Sequence, residues 1–213
     1  MNKRKSPVES GLKRFLDVSL GLIVLIMLAP LLIVLSLVIA VSIGRPVFFR
    51  QQRPGLNGKT FTLYKFRTMT DEKSDAGELL PDCQRLTRLG SVLRVTSVDE
   101  LPELMNVIKG DMSLVGPRPL LMQYIPYYTQ RESLRNTVRP GITGWAQING
   151  RNTVSWGQRL EMDVWYIENW SLMLDIKILI RTITTVIRRD GVSVDSYETE
   201  KDLDEERREA MNA

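Results

Sequence analysis

Residues 96–106 read T-S-V-D-E-L-P-E-L-M-N and set two carboxylates side by side, Asp99 and Glu100, just ahead of Pro102. A carboxylate at a helix start lies where phosphate groups bind. Aspartate can also attack phosphorus and form an acyl phosphate. Its neighbour could hold a divalent cation or handle a proton. A purely local reading is available too. Ser97 and Glu100 match the S-x-x-E capping box, Asp99 suits the positive end of a helix dipole, and proline is tolerated in a first turn. For an arbitrary Asp-Glu pair that local reading comes first.

An anionic nucleophile approaching an anionic substrate needs cations beside it. The candidates are Lys65 and Arg67 in Y-K-F-R-T-M, Arg94 shortly before the pair, and Arg118 in G-P-R-P shortly after it. Prolines on both sides of Arg118 fix its backbone. That suits a preorganised phosphate clamp and a structural ion pair equally well. Taken alone, Lys65 and Arg67 read first as solvated strand charges. Arg139 and Arg151, beside glycine turns, are weaker candidates of the same kind as Arg118.

Composition narrows the chemistry further. The 213 residues include no histidine and one cysteine, Cys83. Ser-His triads, His-ligated zinc, thiolate cages and an intrachain disulfide are excluded. Any metal is then a hard cation held by oxygen, with Mg²⁺ favoured beside phosphate. The formal net charge is +4, with basic residues crowding the first half and acidic ones the end. A basic front suggests phosphates, whether in lipid headgroups, nucleotides or nucleic acid. The basic clusters flank an apolar run, where anionic lipids account for them, so no nucleic-acid partner is expected.

That apolar run must anchor everything else. About 27 residues between Asp17 and Arg45 carry no charge, and a spanning helix needs roughly 20. A cleaved signal peptide has an apolar core of only about 7–15 residues. Pro30 lies near the middle of the run and removes one helical hydrogen bond. Basic residues flank both ends, Lys3 to Arg14 before and Arg45 to Arg67 after. A straight span puts one cluster on the wrong side of the membrane. A helix broken at Ala29-Pro30 that re-enters the same leaflet keeps both clusters cytoplasmic. A kinked spanning helix is the equal alternative on physics alone.

Past the anchor, P-V-F-F-R-Q-Q and T-F-T-L-Y-K-F-R-T-M flank a turn-rich P-G-L-N-G-K and predict a β-hairpin. Alternation puts Phe61, Leu63, Lys65 and Arg67 on one face of its second strand. Residues 85–94 and 99–109 read as helices, the second stopped by Gly110. Residues 155–169 and 171–189 read as amphipathic helices, the latter with an apolar stripe through Leu172, Ile176, Leu179, Ile180, Ile183 and Ile187. Core packing is the common fate of such a stripe, and lying in a membrane interface is the alternative. The expected organisation is a loose terminus (1–12), the membrane segment (13–44), a catalytic domain (45–194) and a charged tail (195–213) that is mobile or a solvated helix. The fold class is α+β, predominantly α-helical.

Three long motifs in order, Q-Q-R-P-G-L-N-G-K through Y-K-F-R-T-M, S-V-D-E-L-P through G-P-R-P-L, and V-R-P-G-I-T-G-W-A-Q-I-N-G-R-N, closely resemble the bacterial sugar transferase family. These are monotopic polyprenyl-phosphate phosphoglycosyl transferases, and the length matches the small members. The resemblance implies transfer of a phospho-sugar from a UDP-sugar to undecaprenyl phosphate, with UMP leaving, at the cytoplasmic face of the bacterial inner membrane. It implies a ping-pong mechanism with Mg²⁺. Asp99 would be the nucleophile that forms a covalent phosphoglycosyl intermediate, and Glu100 would support the metal or a proton. Lys65, Arg94 and Arg118 match phosphate-holding positions, and Asp163 matches an acidic position. The family's helix-break-helix anchor favours the re-entrant reading, although this chain has Ala29-Pro30 where similar enzymes often have Ser-Pro. N-acetylated amino sugars, including diacetylbacillosamine, are the first expectation for the donor, with glucose and galactose open. Membrane lipids are expected partners, and a homo-oligomer is left open. The competing expectation is a non-catalytic membrane-surface module in which the acidic pair only caps a helix.

Overall fold

The structure, a computed structural model, describes residues 11–150, 154–188 and 202–212. Residues 1–10 of the expected loose terminus, Arg151 and the first part of the expected tail lie outside the described residues. The uncharged run forms a single helix, α1 (Gly11–Ser42), so residues 11 and 12 already belong to the helix. Only 6% of its most apolar window is buried, unlike the core helix of a soluble protein. Pro30 sits inside this helix and the helical assignment continues through it. The helix is not unwound at Ala29-Pro30, so a change of direction there is a bend within one helix. Proline removes one backbone bond, and the apolar turns on either side keep theirs.

Both ends of α1 dock on the rest of the chain. Near its start, Lys13 Nζ lies 2.6 Å from Asp175 Oδ2 in a buried pair. Asp17 accepts from Ser113 Oγ at 2.7 Å and from the Leu114 backbone N–H at 3.2 Å. Arg14 donates to the Val107 carbonyl at 2.7 Å and the Ile108 carbonyl at 3.0 Å, close to the end of α4 (Leu104–Lys109). A cation there satisfies carbonyls that the helix end leaves open. Near the other end, Ile39 packs with Phe66 and Leu93. These contacts make α1 part of the fold.

The expected hairpin is present. Strands β1 (Phe48–Pro54) and β2 (Thr60–Phe66) pair antiparallel, with Phe48 opposite Phe66 and Arg53 opposite Phe61. Phe61 and Leu63 enter a core with Val107 and Met112. Phe66, on the other face, stacks on Phe48 at 5.5 Å and meets α1. Helices α2 (Asp82–Arg85) and α3 (Arg88–Val95) follow. A Cβ on Gly90 of α3 would lie 1.9 Å from the Thr68 carbonyl oxygen, so only glycine permits this helix to sit so close to the strand exit. A second, parallel sheet pairs β3 (Ser113–Val115) with β4 (Gly141–Thr143). Its three-residue strands are too short to announce themselves by alternation.

Helices α5 (Trp145–Asn149), α6 (Trp156–Glu168) and α7 (Leu172–Arg188) complete the domain. A Ser155–Gln158 capping box starts α6. Val115, Val138, Tyr166 and Ile178 form the adjoining core. The expected apolar stripe of α7 divides. Leu179 packs against that core, whereas Ile176, Ile180 and Ile183 are exposed together with Met173. Finally, residues 203–212 of the expected charged tail form a docked helix, α8 (Leu203–Asn212). Leu203 is fully buried beside Leu120, Tyr124, Trp156 and Leu160. Asp202 accepts from the Tyr124 hydroxyl at 2.6 Å, and Arg207 pairs with Glu132 at 2.7 Å. A sequence read for charge alone hides the single leucine that seats this helix.

Candidate active site

The acidic pair does not start a capped α-helix. Ser97 takes a left-handed backbone, φ 56°, and its side chain makes no cap. The chain then winds through a 3₁₀ helix (Val98–Glu103) before α4 begins. A left-handed residue cannot present its hydroxyl in the box geometry, whose cap residue is extended. Glu100 is thereby released for long-range partners. Lys65 Nζ reaches Glu100 Oε1 at 2.6 Å, and Arg118 Nη2 reaches the same oxygen at 2.6 Å. Arg118 Nη1 approaches the second oxygen at 3.4 Å. Lys65 also lies 3.4 Å from Glu103.

Asp99 differs from its neighbour. It is largely buried, yet its carboxylate has no hydrogen-bond or ion-pair partner among the described residues. Burial and the adjacent Glu100 push its carboxyl up to about 6, while Lys65, Arg118 and Arg94 pull the other way. Burial would raise Glu100 as well, but Arg118 and Lys65 outweigh it and hold Glu100 well below the usual carboxylate range. Glu103 rises to about 7, chiefly through burial and then through Glu100, with Lys65 opposing. Burial works against a charged Lys65, and Glu100 leads the carboxylates that reverse this and raise its pKa. Two adjacent carboxylates are thus driven apart, one neutralised by cations and the other left open. Sites that do acid–base or nucleophilic chemistry often have this property.

The pair borders a cavity of about 2050 Å³ that is also lined by Lys65, Arg94, Arg118 and Asp163. Arg94 donates from Nε to Thr68 Oγ1 at 3.1 Å and faces the same space. Arg118 forms the expected structural ion pair, with Glu100, while 40% of its side chain stays exposed. Asp163 acts at one remove. It pairs with buried Arg135 at 2.9 Å, and Arg135 donates to the Arg118 carbonyl at 2.6 Å, so Asp163 helps hold the Arg118 backbone. Arg67 is not free for substrate in this arrangement. Its guanidinium is used by the carbonyls of Arg45 and Met69 and by Asp71 at 2.6 Å. Arg139 donates to the Gly110 carbonyl at 2.8 Å and is not among the residues that line the cavity.

Four lining or adjoining residues escaped the sequence reading: Arg53, Glu103, Arg135 and Gln147. Both polar side-chain atoms of Gln147 are buried in the cavity wall without a partner among the described residues. The cavity has a further property. Leu20, Val24, Leu28 and Leu31 of α1 form part of its wall, so polar and hydrocarbon surfaces meet there.

The chain is similar to known proteins over most of its length. The family model described as bacterial sugar transferase matches residues 8–189. The chain is 53% identical over 188 residues to the uncharacterized sugar transferase EpsL of Bacillus subtilis, covering 88% of this chain and 93% of that protein. It is 41% identical to the UDP-glucose:undecaprenyl-phosphate glucose-1-phosphate transferase of Caulobacter vibrioides, over 84% of this chain and 71% of that one. The undecaprenyl-phosphate galactose phosphotransferase of Salmonella typhimurium is 39% identical over 84% of this chain, which spans 41% of that longer protein. Motif order, anchor, and a cation-ringed acidic pair lead to the same conclusion: the chain belongs to the bacterial sugar transferase family.

Proposed function

We propose that this protein moves a sugar 1-phosphate from a UDP-sugar to undecaprenyl phosphate, releasing UMP and forming an undecaprenyl-diphospho-sugar. The reaction class is supported by the relatives named for it. One observation carries the mechanism: Asp99 faces the cavity unpaired while Glu100 beside it is neutralised by Lys65 and Arg118. In the first step an Asp99 oxygen bonds to the sugar-bearing phosphorus. The bond from that phosphorus to the bridging oxygen breaks, and UMP leaves with the electron pair. In the second step an oxygen of undecaprenyl phosphate bonds to the same phosphorus, and the acyl-phosphate bond to Asp99 breaks. With a carboxyl at about 6, Asp99 is mostly ionised above neutral pH and needs no base. Lys65, Arg94 and Arg118 offset the charge that gathers as two anions meet.

Mg²⁺, when bound, would offset charge on the diphosphate oxygens. The donor set fits a cation that arrives with substrate better than one caged by protein. Among the described residues no group of three or more His, Cys, Asp or Glu is arranged to hold a metal. Mg²⁺ commonly takes one or two carboxylates plus phosphates and waters. Asp99 has open oxygens for this role, whereas Lys65 and Arg118 already engage those of Glu100.

The membrane reading completes the proposal. α1 would enter the cytoplasmic leaflet, bend at Pro30 and return to it. Docking of Lys13 and Asp17 at one end and of Ile39 at the other, on one small domain, supports that topology. The exposed Met173, Ile176, Ile180 and Ile183 would lie at the same interface.

The test is UMP release from a donor panel in the presence of Mg²⁺ and undecaprenyl phosphate. UDP-glucose and UDP-galactose belong in it because of the relatives' names, and UDP-linked N-acetylated amino sugars because of the sequence expectation. A sugar-phosphate mass adduct on Asp99 is expected when acceptor is withheld. Turnover of Asp99→Asn at the wild-type rate would end the assignment.

A further inference from the structure

The charges around the cavity do not balance on one side. Arg53, near the end of β1, lines the same cavity as Asp99, Glu100, Lys65 and Arg118. Its guanidinium donates from Nη2 to the neutral Gln51 amide oxygen at 2.5 Å. Nη1 makes only a long 3.4 Å contact with the Pro119 carbonyl. Nε is buried and has no partner among the described residues. Among the described residues no carboxylate lies within ion-pair distance of it. The nearest strong field is of the wrong sign: burial first, and then Arg118, lower the Arg53 pKa to about 10, with Glu103 opposing. A cation withdrawn from water is costly unless an anion compensates it. Here the protein supplies two neutral oxygens and a second cation.

Two of the three carboxylates nearby are already engaged, and the third, Asp99, makes no ion pair with Arg53. Glu100 serves Lys65 and Arg118, and Glu103 leans toward Lys65. Two guanidiniums therefore face one polar space with a single carboxylate between Lys65 and Arg118 and none for Arg53. Paired guanidinium forks match the oxygens of a phosphate or diphosphate, where several N–H donors can be used at once. We infer that Arg53 is a substrate-binding residue that, together with Arg118, clamps phosphoryl oxygens in the cavity. The inference rests on the reaction proposed above for the identity of the anion. The shared chemistry is a phosphate oxyanion, which either the donor diphosphate or the lipid phosphate could supply.

A merely structural Arg53 would tether the loop that carries Arg118 through the Pro119 carbonyl, and the experiment separates the two roles. The full chain in detergent is titrated with inorganic pyrophosphate in EDTA at constant ionic strength, and binding is read by thermal shift. Arg53→Gln is expected to weaken pyrophosphate at least tenfold without lowering the melting temperature of the ligand-free protein. Arg53→Lys keeps the charge but not the fork and should weaken it less. If Arg53→Gln folds poorly, Arg53→Lys alone still decides. Unchanged pyrophosphate affinity in the variants overturns the inference, as does a loss of melting temperature with affinity intact. In UMP-release assays, a raised KM for the donor alone identifies the diphosphate as the ligand. A raised KM for the acceptor alone identifies the lipid phosphate. Neither change, in an active wild type, overturns the inference. A wild type that releases no UMP from any donor refutes the reaction reading instead, and the pyrophosphate titration still decides on Arg53.

Discussion

Asp99 and Glu100 show how little two neighbouring carboxylates need share. The usual value for an aspartate is about 3.9, and Asp99 stands at about 6 through burial and Glu100. The folded protein therefore holds this proton more tightly than the unfolded chain does. Asp99 contributes no penalty below the unfolded value, and an increasing one as pH rises through the window between the two values. Asp99→Asn removes that penalty. In EDTA at pH 7.5 the variant should be more stable than wild type by about 1–3 kcal/mol, and the gain should vanish near pH 4. Melting curves at both pH values check this; equal stability at pH 7.5 would show that the carboxylate is not destabilised. Glu100 runs the opposite way, because its held-down pKa stabilises the fold above the ordinary carboxylate range and is lost in acid. Much of the candidate site was legible at this scale. Residue type and spacing picked out Asp99, Glu100, Lys65, Arg94 and Arg118, all of which line one cavity. Arg53, Glu103 and Arg135 were missed because nothing local marks them. Their meaning depends on Arg118 being folded back beside them, a contact across many residues. The capping box failed for a local reason that sequence hides, the left-handed turn at Ser97.

Elements explain why the site holds still. β2 delivers Lys65, the 3₁₀ helix delivers the acidic pair, and the loop after β3 delivers Arg118. That loop is pinned by glycine as well as proline. A Cβ on Gly141 would lie 2.1 Å from the Gly116 amide nitrogen, so the two backbones can meet only because neither carries a side chain. The hairpin, α6 and α7 were readable from alternation, caps and periodicity. The parallel pair β3–β4 was not, since three residues give no period to read. The docking of helix α8 was missed because its composition is that of a solvated tail. Its docking yields a direct prediction. Leu203→Ala should destabilise the protein by about 2–5 kcal/mol, as expected for a fully buried leucine. Denaturant titration checks this, and a change under about 0.5 kcal/mol, typical of a surface position, would return the segment to the status of a loose tail.

At the scale of the whole molecule, the question is which side of a membrane each end of α1 occupies. The contacts of Lys13, Asp17 and Ile39 tie both ends to one domain. Cysteines introduced at Lys3 and Val47, with Cys83 replaced by serine, should both react with an impermeant reagent only from the cytoplasmic side of vesicles. Labelling from opposite faces would defeat the re-entrant reading. The same contacts, with Leu20, Val24, Leu28 and Leu31 in the cavity wall, bear on how the protein can be taken apart. A designer wanting a water-soluble version would first delete the greasy helix. Here that cut would remove a wall of the reaction vessel, unseat Asp175 from Lys13, and leave Ser113 and the Leu114 amide without Asp17. Anchor and catalyst are not separable modules. Making this protein soluble calls for repainting the outward face of α1 while leaving the inward face untouched.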